Sequence, residues 1–147
     1  VPSEFRVTLP VPPSVNHLYR NFTTKDGRRM RVHTPQAKAW FTAAGVHIVN
    51  ERNFLRHNTP WDEKVVMDYW VFWPTLRERD CDNILKAMQD ALVEHGIVAS
   101  DSLILPRAQD FELDRKNPRV EVVLWPKSQE AGPPTTAATS TSATGAS

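Results

Sequence analysis

Apolar and polar positions alternate at the start of the chain. Phe5, Val7 and Leu9 are separated by Arg6 and Thr8, the period-two pattern of a strand with one buried face. Pro10, Pro12 and Pro13 remove backbone donors directly afterwards and end it, opening the loop PPSVN at residues 12–16. The stretch FTTKDGRRMRVH, from Phe22 to His33, predicts a hairpin that turns at Asp26-Gly27. Thr34-Pro35 reads as an N-cap followed by proline at the first helical position. Ala37, Trp40, Phe41, Ala44 and Ile48 then recur at helical spacing and predict a helix over 35–52. KVVMDYWVFW, residues 64–73, is β-branched and aromatic and predicts a buried strand closed by Pro74. Ile84, Leu85, Met88, Ala91 and Leu92 form one apolar stripe, with Asp82 placed to cap the helix and Gly96 to end it. Ile97–Val98 and Leu103–Leu105 read as short extended pieces around Asp101. Phe111–Leu113, the polar turn DRKNPR and the alternating VEVVLW (120–125) predict a last hairpin. The order strand, hairpin, helix, strand, helix, strand, strand is an α+β pattern. It predicts a single domain in which a mixed or antiparallel β-sheet packs with two main α-helices.

The pattern stops after Lys127. Residues 128–147 hold nine Ser or Thr in twenty positions and no aromatic or large aliphatic side chain. Such a segment cannot bury enough apolar surface to offset its ordering entropy. A folded module at residues 1–127 and a disordered Ser/Thr/Ala/Pro-rich tail at 128–147 are therefore expected. With 147 residues, 40 % of them hydrophobic, the chain is long enough for one core. Its formal net charge of +1 gives no whole-molecule argument for nucleic acid or membrane. The charge is unevenly spread, however: residues 1–79 carry 12 Lys+Arg against 7 Asp+Glu, and residues 80–121 carry 5 against 9. A single cysteine, Cys81, excludes an intrachain disulfide framework and a multi-cysteine zinc site. No run of eighteen apolar residues occurs, and VPSEFRVTLP lacks the basic-then-apolar pattern of a secretory signal, so a reducing, cytoplasmic setting without membrane contact is expected.

Chemistry concentrates in RERDCDNILKAMQDALVEHGIVASD, residues 77–101. Asp80 and Asp82 are two apart at a loop-to-helix junction, so an extended step points both side chains to one face. Lys86 lies one helical turn above Asp82, and Asp90 one turn further. Asp101 follows the helix stop, where the chain can return alongside the helix start. Two bare carboxylates about 5 Å apart repel by roughly 3 kcal/mol at an effective dielectric of about 20. Three that converge need a proton or a cation, and hard oxygen donors select Mg²⁺ or Mn²⁺ over zinc. Such an ion activates water and stabilises a phosphoryl oxygen, and a nearby lysine neutralises the phosphate, which is phosphodiesterase chemistry. On local pattern alone Asp82 also reads as a plain N-cap, and Asp82, Lys86 and Asp90 as a solvated i,i+4 ladder.

The whole arrangement, D80-C-D82-N83-x-x-K86-x-x-x-D90-A91-L92 followed by G96 and D101, resembles the RusA-type Holliday junction resolvases. The PPSVN loop resembles that family's N-terminal loop, and the likeness covers roughly residues 5–125. The resemblance implies a homodimeric, Mg²⁺-dependent endonuclease, with Mn²⁺ as a substitute, that cuts four-way DNA junctions by paired symmetric nicks in recombination and repair. It implies that Asp80, Asp82 and Asp101 are the metal-binding catalytic aspartates and Lys86 the essential lysine. Asn83, Asp90 and Asn16 match supporting positions, with Asp90 expected to pair with Lys86. Many relatives carry Asp-Asp where this chain has Ser100-Asp101; only the second is expected to be essential. The setting implied is the cytoplasm of a bacterium, or of the bacterial host of a phage.

DNA contacts are expected from a second group. Arg20, Lys25, Arg28, Arg29, Arg31 and Lys38 are set against one acid, Asp26, a local excess suited to tracking phosphates. Arg77 and Arg79 flank Asp80 and are placed to hold phosphates near a metal. Trp40, Trp70 and Trp73 read as core, and Cys81 as a small buried residue rather than a nucleophile. Two alternatives stand beside the resolvase reading: a non-catalytic protein that grips branched DNA through the basic hairpin, and a nuclease acting on flaps or forks.

Overall fold

The opening alternation becomes strand β1 (Phe5–Leu9), with Phe5, Val7 and Leu9 buried and Arg6 and Thr8 exposed. The computed structural model describes residues 3–77 and 79–130. The proline loop ends in a 3-10 turn at Val15–His17 and leads into β2 (Tyr19–Thr23), which pairs antiparallel with β3 (Arg29–His33) as a separate two-stranded sheet. The register Thr23↔Arg29 leaves Thr24–Arg28 as the loop, and Gly27 takes the left-handed conformation there (φ 84°). Helix α1 (Pro35–Leu55) is capped by Thr34, whose hydroxyl accepts from the Ala37 N–H at 3.1 Å. It runs past the expected end at Arg52. No glycine marks its stop; Arg56 adopts the left-handed cap itself (φ 56°).

The principal sheet has the order β1-β6-β4-β5, with β4 (Val65–Trp73), β5 (Ile104–Leu113) and β6 (Arg119–Pro126). β1 and β4 both run antiparallel to β6, and β5 runs parallel to β4. Between β4 and β5 the chain passes through a 3-10 turn (Cys81–Ile84) and helix α2 (Leu85–Glu94). A parallel pair requires such a crossover. Gly96 ends α2 as expected: with φ 75° it sends its own N–H to Val93 O and the next N–H, of Ile97, to Leu92 O.

The expected last hairpin is corrected by this order. β5 and β6 do not pair, because β4 lies between them. The turn that joins them crosses the end of β4, where the Asp114 N–H donates to Trp73 O at 2.8 Å. β4 is buried along most of its length on both faces and needs a partner at each edge, whereas β5 is exposed from Pro106 to Leu113 and suits an edge. The α+β class, the mixed sheet and the two main helices are as the sequence predicts.

The core lies between the helices and the sheet face made by Phe5, Val7, Leu9, Val65, Met67, Tyr69, Val71, Val122 and Leu124. Trp40, Ala44 and Ile48 of α1 and Ala87, Met88, Ala91 and Leu92 of α2 complete it. Trp40 and Trp73 are buried in it and Trp70 is half-buried on the opposite sheet face, where Asp68 accepts from Arg107 (3.0 Å) and Gln109 (2.9 Å). Beyond β6, a turn at Lys127–Gln129 is tied back by Ser128 Oγ to Glu63 (2.9 Å) and by Glu130 to Arg107. The rest of the expected tail, residues 131–147, lies outside the described residues.

His57 is fully buried with its ring centroid 5.9 Å from Phe5 and 4.4 Å from Trp61. Its Nε2 pairs with Ile97 O at 2.9 Å, so Nε2 carries the proton, and Nδ1 has no partner. Burial pushes its pKa below the ordinary histidine value. A base with a lowered folded pKa contributes its full stability above the unfolded pKa, about 6.5, and loses it as pH falls below that. The thermal unfolding midpoint is expected to fall between about pH 7 and pH 5, and more shallowly in His57→Phe. Calorimetry across that range checks it.

Candidate active site

Where the chain leaves β4, Arg79 folds back so that its guanidinium lies 4.8 Å from the centre of the Trp73 ring and donates to Thr75 Oγ1 at 2.7 Å. Asp80 is extended (φ −97°, ψ 124°) and caps the 3-10 turn, its Oδ1 accepting from the Asp82 N–H at 2.9 Å. This corrects the expectation that Asp82 is the cap. The inserted 3-10 turn moves the start of α2 to Leu85, so Asp80 satisfies the free N–H group and Asp82 stands exposed in the first turn. The two carboxylates still share one cleft, of about 700 Å³, with Asn83 and, across it, Gln109–Phe111 of β5.

Lys86 projects from the first turn of α2. Its Nζ lies 2.9 Å from Asp90 and 3.7 Å from Asp101, so the expected Lys86–Asp90 pair forms and Asp101 returns beside the helix. The hydrogen bond to Asp90, helped by the charges of Asp90 and Asp101 and by Tyr19, raises the Lys86 pKa against a smaller desolvation effect. Lys86 is thus held protonated. Asp101 opens its own 3-10 turn (Asp101–Leu103), and Ser100 Oγ caps that turn by accepting from the Ser102 N–H at 3.3 Å. Ser100 therefore does the capping of that turn.

A second cleft, of about 580 Å³, lies on the other side of the same segment. Asp80, Asn83 and Arg77 form one wall; Asn16, Ser14 and His17 of the PPSVN loop form the other. Ser14 Oγ bonds His17 Nδ1 (2.8 Å), and Thr34 Oγ1 donates to His17 O (2.7 Å), fixing the loop to the start of α1. Asn16, Asp80 and Asn83 are thereby brought to one opening.

The carboxylates stand as a pair, Asp80 and Asp82, with Asp101 tethered separately by Lys86. Among the described residues no three His, Cys, Asp or Glu side chains are gathered closely enough to hold a metal ion between them. The donor chemistry nonetheless fits a hard cation: exposed carboxylate oxygens suit Mg²⁺, which keeps several of its waters and takes one or two carboxylates. Cys81 lies between Asp80 and Asp82 in the same cleft, where burial and then the charges of those two push its thiol pKa up. The same two charges, after burial, push the Tyr69 hydroxyl up to about 12.

The basic group is spread over the hairpin. Arg20, Lys25, Arg28, Arg29 and Arg31 are exposed, as is Lys38 on α1 and Arg77 beside the site. Among the described residues none of these, nor Arg79, forms a salt bridge. Asp26, the hairpin's one acid, is occupied by the Thr24 hydroxyl and the Arg28 N–H, which together hold its carboxyl below the usual range. Arg31 lies over the Tyr19 ring at 4.0 Å, and His33 stacks between Tyr19 and Phe41 at 4.9 Å from each.

Sequence reasoning missed the β5 wall of the Asp80–Asp82 cleft and the closeness of Tyr69 and Tyr19 to the charged groups. The signal for the first was the unbroken apolar run of β4, which demands a second neighbour at its other edge. Residues 10–124 match the family model described as Endodeoxyribonuclease RusA. No curated protein matches the chain. The protein belongs to the RusA family of junction-resolving endodeoxyribonucleases, and so to the nucleases of DNA recombination.

Replacing Asp90 by Asn removes the nearer carboxylate from Lys86. The Lys86 pKa is expected to fall toward the ordinary lysine value, followed by NMR of its side chain against pH. At neutral pH the pair is at full strength, because a raised lysine pKa loses its contribution only as pH rises past the unfolded value. Both partners are partly solvated, so unfolding free energy is expected to change by no more than about 0.5 kcal/mol.

Proposed function

We propose that this nuclease is Mg²⁺-dependent and acts as a homodimer, resolving four-way junctions by paired hydrolysis of two phosphodiesters in recombination and repair, in the cytoplasm of a bacterium or of a phage's host. The observation that carries the reading is Lys86, held protonated by Asp90 and Asp101 beside a cleft that exposes Asp80 and Asp82. Asp80, Asp82 and Asp101 would hold the Mg²⁺, or Mn²⁺ in its place. The bound ion supplies a Lewis acid and a lowered water pKa, the chemistry that in-line attack on a phosphodiester requires.

The chain's own groups do the rest. The Lys86 ammonium offsets charge that builds on the scissile phosphate, and Asp90 keeps the proton on it. Asn83 and Asn16 offer neutral amide donors to phosphate oxygens at the cleft mouth. Arg77 and Arg79 hold the flanking phosphates, while the hairpin cations and Lys38 track the backbone of an arm. A four-way junction has approximate two-fold symmetry, and a C2 dimer presents two copies of one site with that symmetry.

The decisive experiment uses Asp82→Asn on a synthetic four-way junction with and without Mg²⁺. Wild-type cleavage that requires the metal is expected. The variant is expected to lose about 100-fold or more in rate with junction binding retained. Unchanged cleavage by the variant would sink the assignment. Binding without nicking by the wild type, in Mg²⁺ or Mn²⁺, would make it a branched-DNA-binding protein, and preferred cutting of flaps or forks would change the substrate. A second measurement addresses the hairpin: Arg29→Ala with Arg31→Ala is expected to weaken binding of all DNA forms and to lower the salt slope by about one unit for each phosphate no longer gripped.

A further inference from the structure

Phe111 is 65 % exposed, although it sits on a strand of the principal sheet. In register it lies beside Val71 of β4, which is fully buried on the helix-bearing face. Neighbouring residues on adjacent strands point to the same face. Phe111 therefore points toward the helix side from the edge strand, where no helix of the described residues covers it. Its backbone is pinned by its own N–H, which donates to Asp110 Oδ1 at 2.8 Å. Leu113, 41 % exposed, continues the same row beside Trp73. The ring lines the same cleft as Arg79, Asp80 and Asp82.

That cleft thus joins three chemistries: a guanidinium, the carboxylates of Asp80, Asp82 and Asp110, and an exposed aromatic ring. A nucleotide is the ligand that presents matching parts, an anionic phosphate next to a flat π face. A base inside an intact duplex has both faces covered by its neighbours, whereas a base at a branch point can leave the stack and lie on an aromatic side chain. We infer that Phe111 is a platform on which a base unstacked at the junction's branch point rests while the adjoining phosphate faces Asp80 and Asp82. The inference rests on the nuclease reading above and adds to it how branched DNA is told from duplex. Phe111 touches the substrate away from the reacting bond, so its contribution is to position the strand.

The test uses the full chain and a four-way junction with 2-aminopurine at the branch point, next to the cut. Binding of wild type in Ca²⁺ is expected to quench the fluorophore as it stacks. Phe111→Ala is expected to bind the junction but lose the quench, and to cleave about tenfold more slowly in Mg²⁺, in line with the loss of one base–aromatic stack. Phe111→Trp is expected to restore both. Phe54→Ala, which removes an 81 % exposed ring on α1 away from the cleft, is expected to behave as wild type. A quench and a cleavage rate both unchanged in Phe111→Ala, with an active wild type, overturn the platform alone. Conversion of a dimer to a monomer by Phe111→Ala, seen by sedimentation, also overturns it, because the ring then belongs to an edge-to-edge contact between copies. A wild type that cleaves no junction overturns the underlying reading instead.

Discussion

β4 has buried side chains on both faces. Val65, Met67, Tyr69, Val71 and Trp73 meet the helices, and Val66 and Asp68 are nearly as buried on the other side. A strand in that position must have both edges hydrogen-bonded, since no water reaches its peptide groups. β6 takes one edge antiparallel and β5 the other in parallel. The parallel pairing obliges the chain to return along the sheet, and α2 is that return. The site follows from the same constraint. The exit from β4 carries Asp80 and Asp82, the crossover helix carries Lys86 and Asp90, and the turn that opens β5 carries Asp101. A change that unseated β4 would separate these groups even though none of them lies on it.

Charge arrangement within the site is equally constrained. Lys86 has two carboxylates within 4 Å, so its own charge is compensated. Asp80 and Asp82 form no salt bridge among the described residues. Cys81 and Tyr69 register the resulting field, both being held in their neutral forms by it and by burial. The carboxylates therefore stand as a pair with Asp101 apart, and no ready-made cage of three forms among the described residues. Asp101 is at once a partner of Lys86 and a member of the proposed metal set, so the two roles meet at one carboxylate.

Local signals carried much of this. Period-two alternation gave β1, Thr34-Pro35 placed the start of α1, the unbroken apolar run gave β4, and Gly96 stopped α2. The Asp/Lys spacing identified the segment where charges gather. The failures have a common physical origin. Strand partners depend on long-range competition for edges, and Phe111–Leu113 beside a polar turn reads locally as a hairpin arm until β4 claims its second neighbour. Asp82 looked like a cap because a 3-10 turn ahead of α2 leaves no mark in apolar periodicity. The end of α1 was missed because Arg56 takes the left-handed conformation that glycine usually supplies.

The near-zero net charge conceals a spatial division that the ion pairs make explicit. In the acidic part, three of the five cations are held by carboxylates: Arg107 by Asp68 and Glu130, Arg119 by Asp114 and Glu121, Lys86 by Asp90 and Asp101. Asp80 and Asp82 are among the carboxylates there that form no salt bridge with a described residue. In the hairpin the reverse holds, because the one acid is turned onto its own loop and the arginines face solvent. A polyanion is thus attracted to the hairpin and repelled by the bare carboxylates of the cleft. The stack of Arg31, Tyr19, His33 and Phe41 joins the hairpin to α1, and Tyr19 also lies within electrostatic reach of Lys86. Tyr19 thus stands between the basic hairpin and the helix that carries Lys86.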